Sequence, residues 1–355
     1  MASNLRDLIL AEIKSKKEIP FERFMEMALY EPGMGYYLRN VPVIGQDGDF
    51  FTASHVGKVF GALLSRHIIR IWQDMGTPTD FHIVEIGPGM GHLANDILSS
   101  LQGSPISPHL SYHLVELNPH FAAIQRERLK NINSRLFWWK DILEIPPLSG
   151  VFICNEILDA FPVRIFEVLN GNVMEVYVGA DDRGEFVEIL KPAQKDLIDY
   201  LDTFAPWVKL FDRYRSEANL RIKDWLSGVR RVLKQGIVLI IDYGYDAEDY
   251  YDYSRNRGTL LCYFKHRVIE SPYVNVGEQD ITAHVNFTAV SRWAEEAGFA
   301  VLDYTTQHRY LLSLADEELL ENLYQENPAH MIQFKTLMLP EGMGESHKVM
   351  ILSAK

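Results

Sequence analysis

Cysteine is scarce: the 355-residue chain has two, Cys154 and Cys262. Two thiols cannot build a disulfide framework or a four-cysteine zinc site. Cys154 ends the apolar run Val151-Phe152-Ile153-Cys154, which reads as a buried strand. This usage fits a reducing compartment. Positive charge is also in deficit, with 35 Lys and Arg against 48 Asp and Glu and a formal net charge of -13. No basic stripe runs through the sequence, so no nucleic-acid partner is expected. The short runs Lys14-Ser15-Lys16-Lys17 and Arg255-Asn256-Arg257 read as solvated surface. No apolar run approaches the length of a membrane span, so no membrane insertion is expected. The opening stretch, Met1 to Pro20, contains acidic residues and no long apolar core. It matches neither a secretory signal nor the acid-poor pattern of a mitochondrial transit peptide. The expectation is a cytoplasmic protein, or one whose targeting segment is not part of this sequence.

What is present is ample for a core: 47% of residues are hydrophobic. Leu5, Leu8, Ile9 and Ile13 recur at helical spacing, and Pro20 opens a second helix through Leu29. Residues 33 to 54 are rich in Gly and aromatics without a period and read as an ordered loop. A long amphipathic helix follows from Val56 to Trp72. From residue 81 short apolar strands alternate with helices, through Phe81–Ile86, Tyr112–Val115, Leu136–Trp139, Val151–Cys154 and Gly236–Ile241. That alternation predicts an α/β protein with a mostly parallel sheet. Residues 1–80 are read as a helical N-terminal extension and 81–355 as the main domain, one elaborated domain in all. Inserts are expected at about 164–225 and 250–288. Asn170-Gly171 marks a hairpin in the first insert, and the second, polar and Tyr-rich, reads as an irregular lid or binding loop.

The sharpest motif is Val84-Glu85-Ile86-Gly87-Pro88-Gly89-Met90-Gly91, a strand, a glycine turn and a helix start. Gly87, Gly89 and Gly91 let the backbone turn tightly and approach a ligand. A glycine turn alone fits an ordinary turn or a dinucleotide site as well. Here, though, the third glycine comes one residue too early for G-x-G-x-x-G. The next two strands end at Glu116 and at Asp141-Ile142. An acid at the first position can accept from both ribose hydroxyls, and one at the second can face an adenine amino group. Ligands of such sheets lie outside the carboxyl ends of the strands. Glu85, Gly87, Gly89, Gly91, Glu116, Asp141, Ile142 and Asn155 are therefore the candidate cofactor residues, for S-adenosylmethionine. The fourth strand runs into Asn155-Glu156-Ile157-Leu158-Asp159, which offers two carboxylates for a cationic acceptor.

At these residues the chain resembles the MidA family of S-adenosylmethionine-dependent methyltransferases. That family includes the mitochondrial complex I assembly-factor protein-arginine methyltransferase. The resemblance spans nearly the whole chain. It includes Leu29-Tyr30-x-Pro32-x-x-Gly35-Tyr36-Tyr37, the run Gly48 to Ser54, Val59-Phe60-Gly61 and the glycine turn. It continues in Asn155-Glu156-x-x-Asp159-Ala160-x-Pro162, Ile241-Asp242-Tyr243-Gly244, Gly258-Thr259-Leu260 and the long run Gly277 to Phe287. Asn286 departs from the pattern, where Asp is expected. The resemblance implies a class I, Rossmann-like fold with a seven-stranded sheet. It also implies arginine N-methylation of a partner protein, with symmetric dimethylarginine as product.

Methyl transfer from a sulfonium is an in-line displacement governed by alignment, and it needs no metal. Glu156 and Asp159 are the first candidates to grip a guanidinium, with Asp280 and His284 on a second side. The spacing of His266, His284 and Asp280 matches no compact metal motif. Two other readings stay open: a small-molecule methyltransferase, and a non-catalytic cofactor-binding assembly factor for a respiratory complex. The N-terminal helices could pack on the core or form a homodimer face.

Overall fold

The computed structural model describes residues 4–39, 58–339 and 344–355. The motif Gly48 to Ser54, most of the expected loop and the start of the helix expected from Val56 lie outside these residues. The chain divides into two compact units. One is drawn from Phe51–Ile157, Trp225–Tyr243 and Ser291–Lys355, the other from Met1–Phe50, Leu158–Asp224 and Gly244–Val290. This division does not follow the boundary expected at residue 80. Helix Lys58–Asp74 belongs to the first unit, whereas the earlier helices Leu5–Lys16 and Phe21–Tyr30 belong to the second with both inserts.

The first unit is built on a sheet whose main path has seven strands: β1 (Phe81–Ile86), β2 (Leu110–Val115), β3 (Arg135–Trp139), β4 (Leu148–Asn155), β5 (Leu233–Tyr245), β6 (Ala300–Thr306) and β7 (His347–Ala354). Their spatial order is β6-β7-β5-β4-β1-β2-β3. β1 to β5 are mutually parallel, and β7 runs antiparallel to both β5 and β6. This is the seven-stranded class I sheet expected from the resemblance. The central strands are apolar runs because both faces are covered; every residue of β2 is buried. Helix Lys58–Asp74 buries Val59, Phe60, Leu63, Leu64, Ile68, Ile71 and Trp72, a stripe at helical spacing. With Leu93, Ile97 and Leu101 of helix His92–Leu101, that stripe forms one core with Ile83, Leu114, Ile153 and Leu239 of the sheet.

β1 is central, with β2 on one side and β4 on the other. The connection order reverses there, which makes the carboxyl end of β1 and β4 the crevice where such sheets bind ligands. The register aligns the strand ends. Ile86 faces Val115 and Cys154, Val115 faces Trp139, and Asn155 faces Ile241.

The second unit carries an antiparallel sheet of Ile19–Pro20, Asn172–Ala180, Arg164–Leu169 and Tyr214–Ala218, with Phe186–Pro192 paired to Asn172–Ala180. The hairpin turn falls at Asn170 and Gly171, both at positive φ (49° and 77°). That is the twist a two-residue turn requires. The insert at 250–288 is more regular than its composition suggests. Arg267–Ile269, Leu261–Phe264 and Asp280–Thr282 form a three-stranded antiparallel sheet. Short strands bearing tyrosines give too few alternations to register as a period.

Candidate active site

The glycine turn leaves β1 with Gly87, Gly89 and Gly91 at φ of 63°, 53° and 76°. Gly87 N–H donates to Val115 O at 3.0 Å, tying the turn to β2. A Cβ on Gly87 would stand 2.3 Å from Ile157 Cδ1. Helix His92–Leu101 then starts directly after Gly91, with no side-chain cap. Arg128 braces the turn from helix Pro119–Leu129, with Nε donating to Met90 O at 2.8 Å.

Glu85 is buried and accepts from Tyr112 Oη at 2.7 Å. Burial pushes its carboxyl up to about 7. The Tyr112 hydrogen bond opposes this, and Asp96 and Glu116 add to it. Glu116 stands one residue past β2. Its Oε1 accepts from Asn118 N–H at 2.8 Å and its Oε2 from Gln125 Nε2 at 2.9 Å. Burial raises it too, to about 7, against those two donors. Asp141 follows β3 and is exposed; its Oδ1 accepts from Leu143 N–H at 2.8 Å and caps the turn Ile142–Glu144. Part of that carboxylate therefore does local work. The edge places Asp141, Glu116 and Gly87 after successive strands β3, β2 and β1.

On the other side of β1, Asn155 is the last residue of β4, and its Oδ1 is buried with no hydrogen-bond partner among the described residues. Glu156 follows at φ 51°, a left-handed backbone uncommon outside glycine and characteristic of functional sites. Its side chain is 4% exposed, and Oε1 lies 3.6 Å from His347 Nε2. Asp242, past the middle of β5, accepts from Ile157 N–H at 3.1 Å and Tyr243 N–H at 2.9 Å, so it fixes the exit of β4.

The remaining predicted residues belong to the second unit. Asp280 is buried and accepts from Tyr37 Oη at 2.8 Å and from Ile281 N–H at 2.9 Å. Asp159 is buried, and its carbonyl accepts from Ala283 N–H at 3.0 Å. Burial, then Asp280, then Asp159 push the Tyr30 phenol up, so the two acids and the tyrosines of the Leu29 to Tyr37 motif share one environment. His284 donates its N–H to Thr259 Oγ1 at 3.0 Å, and its ring lies 5.3 Å from that of Tyr245.

Residues beyond the predicted set take part. Gln125, His347 and Tyr37 were not expected. Tyr37 closes the Leu29 to Tyr37 motif, and Gln125 is a polar residue within the apolar stripe Phe121, Ala122, Leu129 of its helix; His347 left no signal.

A glycine cradle at a helix start, strand-end acids and a buried amide oxygen without a partner among the described residues suit a nucleoside bearing ribose hydroxyls and a charged tail. With the β6-β7-β5-β4-β1-β2-β3 sheet, this defines an S-adenosylmethionine-dependent methyltransferase. The family model described as S-adenosyl-L-methionine-dependent methyltransferase matches residues 63–305. The chain belongs to this family, the MidA family. A Burkholderia thailandensis crystal structure, bound to S-adenosyl-homocysteine and described as a methyl transferase, is 31% identical. It superposes with a TM-score of 0.89 over 98% of this chain and 91% of that one. The mitochondrial protein arginine methyltransferase NDUFAF7 of Danio rerio is 28% identical over 97% of this chain and 86% of its own length. Its human counterpart is 27% identical over 95% and 80%. Those relatives are mitochondrial proteins, which overturns the expectation of a cytoplasmic one. Among the described residues no helix is long and apolar enough to cross a membrane.

Proposed function

We propose that this enzyme methylates arginine side chains of a partner protein and that its product is symmetric dimethylarginine. The observation that carries the reading is Glu156, a buried carboxylate held at positive φ on the loop leaving β4, the strand beside the glycine turn. The arginine specificity of the named relatives supports it. Gly87, Gly89 and Gly91, with Glu85, Glu116, Asp141, Ile142 and Asn155, would hold S-adenosylmethionine, which supplies an electrophilic methyl on its sulfonium.

A guanidinium stays charged in proteins and its nitrogen lone pairs are delocalised. A carboxylate that accepts two of its N–H groups orients the plane and eases loss of a proton. Glu156 does this through Oε1 and Oε2, with His347 Nε2 next in line beyond Oε1. In the second unit, the buried pair Asp159 and Asp280 with Tyr37, and His284 against Tyr245, are the further acceptor-binding candidates.

The test is transfer of radiolabelled methyl groups to a lysate by the parent and by Glu156→Gln, with amino-acid analysis of the labelled proteins. The parent yields symmetric dimethylarginine. Glu156→Gln loses transfer by about 10²–10⁴-fold while binding S-adenosyl-homocysteine normally. Full transfer by the variant removes Glu156 from the mechanism, and label in small molecules alone removes the protein acceptor.

A further inference from the structure

We propose that Gln125 is a positioning residue for the adenosine end of the cofactor, locking the Glu116 carboxylate to the glycine turn in the geometry that receives the ribose. The proposal rests on the reading of Glu116 as the ribose acid. Gln125 is fully buried on helix Pro119–Leu129, and all its polar capacity converges on the site. Nε2 donates both to Gly89 O, at 2.7 Å, and to Glu116 Oε2, at 2.9 Å. Its Oε1 accepts from Trp138 Nε1 at 3.0 Å. An indole nitrogen can only donate, so Trp138 fixes which end of the amide faces the turn. The Gln125 stem also lies against Gly91, where an added Cβ would be 3.1 Å from Cγ.

The consequence is a carboxylate with a defined vacancy pattern. Asn118 N–H occupies one lone pair of Glu116 Oε1, and Gln125 occupies one of Oε2. Each oxygen keeps one acceptor site, and two acceptor sites match two ribose hydroxyls. A core glutamine kept only for packing would not need to bridge a turn carbonyl and an acid from different strand ends.

Calorimetric titration of the full chain with S-adenosyl-homocysteine between pH 6 and 9 tests this, for the parent, Gln125→Met, Trp138→Phe and Glu116→Ala. Asn118 N–H and Gln125 meet Glu116 from the following helix, and Glu116 in turn adds to the rise at Glu85; Glu85 and its Tyr112 partner are retained in all four proteins. Loss of a hydrogen bond to a charged group predicts about tenfold weaker binding for Gln125→Met at pH 7. One fewer donor also moves the midpoint of the pH dependence upward, so the deficit shrinks towards pH 9. Trp138→Phe, which removes only the orienting donor, shifts the midpoint in the same direction by less, and it guards against a misfolded Gln125 variant. Weakening that is equal at every pH, or affinity and midpoint unchanged in both variants while Glu116→Ala binds poorly, overturns the proposal. A Glu116→Ala protein that binds as tightly as the parent overturns the reading of Glu116 itself.

Discussion

The Glu217 carboxylate occupies the space where a side chain on Gly258 would begin: a Cβ there would lie 2.1 Å from Oε1. Glu217 is buried and accepts from the N–H groups of Thr259 and Leu260, each at 3.0 Å. Gly258 itself has φ 79°. The motif Gly258-Thr259-Leu260 is thus a clamp holding the start of the second insert, and Thr259 Oγ1 passes the constraint on to His284 N–H. Gly258→Ala must leave the left-handed region, at roughly 1–2 kcal/mol, and displace a charged acceptor worth about 1.5–3 kcal/mol. The melting temperature should fall by several degrees. A fall of less than a degree would show that the clamp is slack.

Gly87 is constrained by conformation and by space, since φ is 63° and an added Cβ meets Ile157 Cδ1 at 2.3 Å. Gly87→Val pushes on the loop that carries Glu156 and fills the cradle. The expected outcome is loss of S-adenosyl-homocysteine binding by at least about a hundredfold, roughly 3 kcal/mol, with far-ultraviolet circular dichroism unchanged. Retained affinity, measured calorimetrically, would move the cofactor off this turn.

Much of this was legible because the signals are local. The apolar runs of β1 to β5 and the glycine turn need only neighbouring residues to be read, and strand ends in chain order became a spatial edge once the sheet was parallel. Glu116 and Asp141 follow from that logic, although Asp141 also caps its own turn. What stayed hidden depends on distant segments. Gln125 matters through Gly89, 36 residues away, and His347 reaches Glu156 only through the antiparallel return of β7. The second unit is assembled from three chain segments, so a boundary drawn along the sequence at residue 80 could not find it. Glu156 itself was expected on position alone; its positive φ carries no sequence signature.

Asn286, where the resemblance leads one to expect Asp, is buried and serves the local structure. Its Oδ1 accepts from Thr288 N–H at 3.1 Å and Ala289 N–H at 3.3 Å, capping helix Phe287–Glu296, while Nδ2 donates to Tyr200 Oη at 2.9 Å. Tyr200 in turn meets Tyr251 Oη at 2.9 Å, and Tyr251 donates to Glu217 O at 2.8 Å. Asn286→Ala loses the cap and the buried donor together, about 2–3 kcal/mol. Asn286→Asp keeps the cap and can accept from a reoriented Tyr200 hydroxyl, so its cost is nearer 1 kcal/mol. Methyl transfer by Asn286→Asp should stay within about twofold of the parent, as expected for a structural position. A large gain in rate would mean that a carboxylate here takes part in the chemistry. Chemical denaturation of the three proteins and one transfer assay check both points.

The pH behaviour of folding and of cofactor binding should run in opposite directions. Burial raises Glu85 and Glu116 from 4.5 to about 7 in the folded chain. Between those limits the folded state binds more protons than the unfolded one, so the stability these groups contribute is present at low pH and lost as pH rises through about 7. Ribose recognition needs the ionised Glu116 carboxylate, so affinity grows over the same interval. Without ligand, replacing Glu116 by Gln should flatten the pH dependence of melting temperature between pH 5 and 8, and Glu85→Gln should do likewise. With saturating S-adenosyl-homocysteine, the parent's ligand-induced rise in melting temperature should increase from pH 6 to 8. Glu116→Gln should show a small rise that does not vary with pH. Glu116 adds to the rise at Glu85, so Glu116→Gln should also lower the titration point of Glu85. Parent and Glu116→Gln curves that stay parallel across this range, with and without ligand, would mean that Glu116 does not titrate there and does not hold the ribose.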